Sequence, residues 1–169
     1  CLLRTDPHGS RPFPPPHPAA DARHRLHTHW NLDAASVLAA QCLDIQPGHA
    51  VLDMCAAPGG KSITLAQRLW PALYVDHPSG EQQHRQRPSI LHANEVDVAR
   101  HRRLHANLTS YLPPTLFEQG LVDVLRIDAT SPRAVHLFPL GEEGYDRILI
   151  DAPCSSERHI LHAFMRAQQ

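Results

Sequence analysis

The chain has 169 residues, 42% of them apolar, with 16 Lys plus Arg against 17 Asp plus Glu and a formal net charge of −1. A single domain of this length buries about 70% of the surface its unfolded chain exposes, so a core forms without help from disulfides or metals. No stretch approaches the roughly 18 to 20 continuous apolar residues of a membrane span, the near-zero charge argues against a general nucleic-acid clamp, and Cys1, Cys42, Cys55 and Cys154 make no C-x-x-C pair or disulfide framework, which fits a reducing compartment.

Residues 1–29 hold six of the sixteen prolines and few large apolar side chains, and this composition reads as a flexible linker or tail. His24, His27 and His29 lie close together there, but nothing completes a ligand set, so no metal is expected. Residues 30–169 read as one domain. Leu32, Ala35, Leu38, Ala39 and Cys42 recur at helical spacing, with Asp33 in the first turn and Pro47-Gly48 as the stop, predicting a helix of about three turns. Residues 50–54 read as a short buried strand, followed by a Gly turn and a helical pattern through Ile63, Leu65, Ala66 and Leu69. Residues 71–88 are polar and proline-punctuated, as in an exposed insertion.

Residues 89–95 return to the strand pattern. Val96, Leu104, Leu108, Tyr111 and Leu112 then mark one helical face until Pro113-Pro114, and residues 121–127 and 146–150 supply a third and a fourth strand. This alternation predicts an α/β fold with a parallel, doubly wound sheet and ligands beyond the carboxyl ends of its strands. Four strands are few for such a sheet, so the domain reads as cut short, with the fourth strand an exposed apolar edge.

Four constellations at strand ends carry the candidate chemistry. Residues 53–61, Asp-Met-Cys-Ala-Ala-Pro-Gly-Gly-Lys, combine small residues with a helix start that suits a charged cofactor tail, and they include the only lysine of the chain, Lys61. This is neither a G-x-G-x-x-G fingerprint nor a Walker loop, so a nucleotide phosphate is not the obvious ligand. Glu95 ends an apolar strand where an acid can accept both ribose hydroxyls of an adenosine cofactor. Asp128 is placed either to accept the adenine amino group or to cap a turn. In residues 151–156, Asp-Ala-Pro-Cys-Ser-Ser, an apolar strand delivers a carboxylate, a stiffening proline and a thiol. Arg100, Arg102 and Arg103, with His101 and His105, form a basic helix face that reads first as solvated surface and second as a contact for RNA phosphates.

DMCAAPGGKS at 53–62, ANE at 93–95, RIDAT at 126–130 and DAPCSSERH at 151–159, in that order, resemble the Sun-domain (RsmB/NSUN) RNA cytosine-5 methyltransferases. The resemblance runs from Asn31 to Leu161. Residues 31–36 and Arg158-His159 look most like the compact members that modify mitochondrial RNA. It implies a Rossmann-like methyltransferase fold with S-adenosylmethionine as cofactor. Cys55, Ala56, Ala57, Pro58, Gly59, Gly60 and Lys61 would surround the methionine end, Glu95 the ribose and Asp128 the adenine, while Asp151 would lie beside the cofactor and the target cytosine. Cys154 would be the cysteine that assists release of the methylated base. The attacking thiol of the family comes later, in a Thr-Cys motif, so the chain is expected to be a fragment lacking its carboxyl-terminal strands and inactive alone.

Cytosine carbon 5 is a weak nucleophile, so a thiolate must first add at carbon 6, and an acid near the ring nitrogen stabilises the adduct; Asp151 suits that role if burial retains its proton. The implied substrate is rRNA or tRNA, and the compartment a mitochondrion or other organelle, with nucleus and cytoplasm left open. The alternatives are a non-catalytic cofactor- or RNA-binding assembly module, a nicotinamide dehydrogenase, which Glu95 permits and the 55–61 loop argues against, and an enzyme using Cys154 itself as nucleophile.

Overall fold

A computed structural model of the chain describes residues 26–73 and 87–153. Its centre is β1 (Ala50–Asp53), in which all four residues are buried. It pairs in parallel with β2 (Ile90–Asn94) on one side and with β4 (Arg147–Leu149) on the other, and β2 pairs in parallel with β3 (Val122–Leu125). The resulting order, β3-β2-β1-β4, sends every strand toward the same edge. All four strands lie where the apolar runs predict them; β1 and β2 are buried along nearly their whole length, as strands covered on both faces must be, while β3 and β4 are partly exposed.

The helices follow the same logic. In α1 (Ala34–Gln41) the Asp33 side chain accepts from the Ser36 amide at 2.9 Å, so Asp33 is the cap and not a first-turn residue, and the helix runs eight residues, not three full turns. In α2 (Gly60–Leu69) Ile63, Leu65, Ala66 and Leu69 are buried. In α3 (Val98–Tyr111) the buried stripe is Leu104, Leu108 and Tyr111, and the Asp97 side chain caps the Arg100 amide. Pro113 does end the exit from α3, but Pro114 starts α4 (Pro114–Glu118), where a missing N–H costs nothing. A final short helix, α5 (Ala134–Leu137), was not expected; its four residues are too few for a period to show.

Side chains of α2 and α3 share one core with Val51, Leu91 and Ala93. Leu52 points the other way and packs with Ala134 and Phe138 around α5. The sheet is therefore covered on both faces, with β1 and β4 flanking the point where the winding reverses. On this second face His92 Nδ1 and the Tyr145 hydroxyl share a 2.7 Å hydrogen bond, and burial pushes the His92 ring below the usual histidine range. β4 is the outer strand among the described residues, and Ile148 and Ile150 are exposed there.

The expected tail ends earlier than residue 29. The His27 amide donates to the Ser110 carbonyl at 2.8 Å, and the rings of His27 and Trp30 meet Tyr111 edge-on, so the stretch from 26 onward lies against the end of α3. In the 71–88 insertion, Pro71–Leu73 form one 3-10 turn and Arg87 pairs with Asp146 at 2.7 Å, while 74–86 lie outside the described residues.

One buried amide joins the strand ends. Asn94 Nδ2 donates to the carbonyls of Met54 and Ile127, at 3.1 and 3.0 Å, and its Oδ1 accepts from the Ile127 amide at 2.8 Å. Replacing Asn94 by Ala leaves all three backbone groups without this partner. The expected loss in urea unfolding is roughly 2 to 4 kcal/mol, against less than about 1 for Asn107→Ala, whose amide bonds the Pro58 carbonyl at the surface.

Candidate active site

The carboxyl edge of the sheet gathers the loop after β1, Glu95 after β2, Asp128 after β3 and Asp151 after β4. Parallel pairing is what brings these residues together from sequence positions almost a hundred apart. Cys154 lies outside the described residues, and so does everything after it.

The loop itself is tied down at both ends. The Ala56 amide donates to the Asn94 carbonyl and the Gly59 amide to the Ala56 carbonyl. Gly59 stands at φ 112°, where any side chain is strained, and a Cβ there would lie 3.2 Å from Leu104 Cδ1 and 3.4 Å from Leu108 Cδ2. Gly59 thus answers to backbone conformation and to the packing of α3. At Gly60 a Cβ would fall 2.6 Å from Trp30 Nε1. Among the described residues no side chain caps the start of α2.

Glu95 is only 5% exposed. Its Oε1 accepts from the Asp97 amide at 3.0 Å and its Oε2 pairs with Arg100 Nη2 at 3.0 Å. The same guanidinium donates to the Ala57 carbonyl at 3.2 Å, so Arg100 belongs to the loop and not to the solvated face assigned to it from sequence; Arg102 and Arg103 are exposed. Each carboxylate oxygen of Glu95 retains a further lone pair for a ligand hydroxyl. Asp128 is exposed. Its Oδ1 accepts from the Thr130 hydroxyl and amide, bonds that make it a turn cap and hold its carboxyl below the usual range, while Oδ2 takes no bond among the described residues.

Lys61 and Asp151 form the most direct contact across the crevice, with Nζ 2.7 Å from Oδ2. Lys61 Nζ also donates to Ser36 Oγ at 2.9 Å. The side chain of Asp151 is 55% exposed, so the burial on which its expected acid role depended is not observed, and the Lys61 ammonium is its neighbour.

Asp53 received no separate role from sequence, although it stands at the end of β1. It is 1% exposed, its Oδ2 accepts from the Ser62 hydroxyl at 2.7 Å, and its Oδ1 has no partner among the described residues. Burial pushes its carboxyl up from 3.8 to about 6, against the opposing pull of Ser62 and Lys61. The Cys55 thiol is also raised, first by burial and then by Glu95 and Asp53, so this loop cysteine is kept as a thiol.

The profile of the family described as 16S rRNA methyltransferase RsmB/F matches residues 40–163. The chain belongs to that family. A mitochondrial tRNA (cytosine(34)-C(5))-methyltransferase of Danio rerio is 37% identical over 137 residues, covering 81% of this chain and 31% of the relative. The 5-cytosine rRNA methyltransferase NSUN4 of Xenopus laevis is 37% identical over 133 residues, covering 79% and 27%. Among solved structures, PH0851 superposes with a TM-score of 0.54 at 30% identity, over 78% of this chain and 24% of that one. The chain thus spans about a third or less of the length of these relatives. RsmB/F members are RNA 5-methylcytosine methyltransferases with S-adenosylmethionine as cofactor. The groups present fit it: two acidic side chains with acceptor lone pairs to spare and, among the described residues, a helix start without a side-chain cap on one edge.

The Asp53 carboxyl gives a pH signature. Folding raises its affinity for a proton, so between about pH 4 and 6 the folded state binds more protons than the unfolded one, and this group's contribution to stability falls as pH rises through that window. Asp53→Asn cannot ionise and keeps an acceptor for Ser62. Its stability relative to wild type is expected to improve by roughly 2 to 3 kcal/mol from about pH 4 to pH 7 in chemical unfolding. A flat difference would show that Asp53 titrates normally.

Proposed function

We propose that the chain carries the cofactor-binding edge of an RNA cytosine-C5 methyltransferase acting on mitochondrial rRNA or tRNA. The observation that carries this reading is the convergence of loop 55–61, Glu95, Asp128 and the Lys61–Asp151 pair on one edge. The compartment and substrate classes rest on relatives named for mitochondrial tRNA and for rRNA.

S-adenosylmethionine supplies, when bound, an electrophilic methyl group. Glu95, pinned by Arg100 and the Asp97 amide, would accept from the ribose hydroxyls, and Asp128 Oδ2 from the adenine amino group. The first amides of α2 would receive the negative end of the methionine tail. On the cytosine side, Lys61 Nζ and the carboxylate of Asp151 offer a donor and an acceptor side by side. That pattern complements the ring nitrogen, which accepts, and the exocyclic amine, which donates. A donor held at the ring nitrogen draws density from the ring and favours addition of a thiol at carbon 6. Cys55 is unsuited to that attack, because its surroundings hold the proton on sulfur. The role of Cys154 in base release follows from the family likeness of its motif.

Titration calorimetry tests the cofactor assignment. S-adenosylhomocysteine is expected to bind and NAD not to, and Glu95→Ala is expected to weaken the binding at least tenfold, since a buried charged acceptor is lost. Tight NAD binding without a response to S-adenosylhomocysteine would overturn the reading.

A further inference from the structure

Lys61 reaches the crevice from the first turn of α2, yet one of its two hydrogen bonds goes to another helix. Ser36, in the first turn of α1, accepts from Lys61 Nζ at 2.9 Å and donates to Asp33 Oδ2 at 2.7 Å. A serine hydroxyl has one proton. Once it is committed to Asp33, only lone pairs face Lys61. Asp33 in turn is fixed by the Ser36 amide on Oδ1, and these two bonds hold its carboxyl below the usual range. The chain of contacts therefore has one direction, from the Lys61 ammonium to the Ser36 oxygen and from the Ser36 proton to the Asp33 carboxylate, and the same ammonium also pairs with Asp151.

We propose that Ser36, with its hydroxyl set by Asp33, is a positioning residue that holds the Lys61 ammonium against Asp151. A lysine side chain has four rotatable carbons and loses more rotamer freedom than most when fixed. An exposed carboxylate alone is a weak restraint on it, since surface ion pairs contribute little. A second, fully directed acceptor from a different helix confines Nζ to the place where both bonds are made. The inference rests on the proposed reading of this site only for what the positioned ammonium is for; the positioning itself is a property of the unliganded protein.

Because Lys61 is the only lysine in the chain, a lysine-selective nitrogen-15 label gives a single side-chain ammonium signal. Exchange of its protons with water is measured at fixed pH and temperature, with no cofactor or RNA present. The wild-type ammonium is expected to exchange slowly enough to be seen, Ser36→Ala to exchange about tenfold faster, and Ser36→Thr, which keeps the hydroxyl, to match wild type. Asp33→Asn retains the helix cap but replaces the acceptor of the hydroxyl proton by a donor, so it too should speed exchange while leaving the melting temperature nearly unchanged. It also provides the readout if Ser36→Ala does not fold. An unprotected wild-type ammonium, unchanged exchange in both Ser36→Ala and Asp33→Asn, or failure of Ser36→Thr to restore protection would each overturn the proposal. Failure of the cofactor reading would instead appear in calorimetry and leave these rates as expected.

Discussion

Parallel strands have no partner for their backbone beyond the last ladder bond, and loops leaving one edge diverge unless something ties them. Here the tie is the side chain of Asn94, which meets the backbone of residue 54 after β1 and of residue 127 after β3. An amide serves where a carboxylate or a hydroxyl would not, because the place offers two carbonyls and one N–H and needs two donors and one acceptor. Loop 55–61 and the turn at Asp128 take their relative positions from this splice. Arg100 repeats the device one layer outward, bridging Glu95 to the Ala57 carbonyl.

Charge at the crevice is graded by depth. Asp53, deepest, has one oxygen without a partner among the described residues and a carboxyl pushed up by burial; Asp151 and Asp33 lie outside, near the same ammonium. Three acids share one cation here, and burial moves the innermost of them part of the way toward its neutral form. The sole lysine of an arginine-rich chain stands where a compact, three-donor ammonium can serve Ser36 and Asp151 together; a planar guanidinium would project its donors in one fixed fork.

The central strands are legible because burial on both faces writes a continuous apolar run in β1 and β2, and the edge residues follow because each ends an apolar run. Glu95, Asp128 and Asp151 were placed on that edge by topology alone. What sequence could not show was partnership across the fold. Asp33 reads as a first-turn acid, Ser36 as one residue of a helix and Arg100 as part of a basic face, until α1, α2 and the loop after β4 are brought together. Gly59 reads in the sequence only as a small residue of the loop, because its positive φ and the leucines of α3 are invisible in one dimension. The packing of residues 26–29 was hidden by the prolines preceding them, since composition averaged over a window conceals where contact begins.

The indole of Trp30 occupies the space above Gly60 and leans on Tyr111, while the other tryptophan, Trp70, closes the far end of the same helix. The chain therefore has a natural optical reporter at each end of α2, one resting on the loop and one remote from it. A rearrangement confined to the loop changes the surroundings of the first indole and leaves the second as an internal reference, so the protein's intrinsic fluorescence resolves local change at this edge from movement of the whole helix.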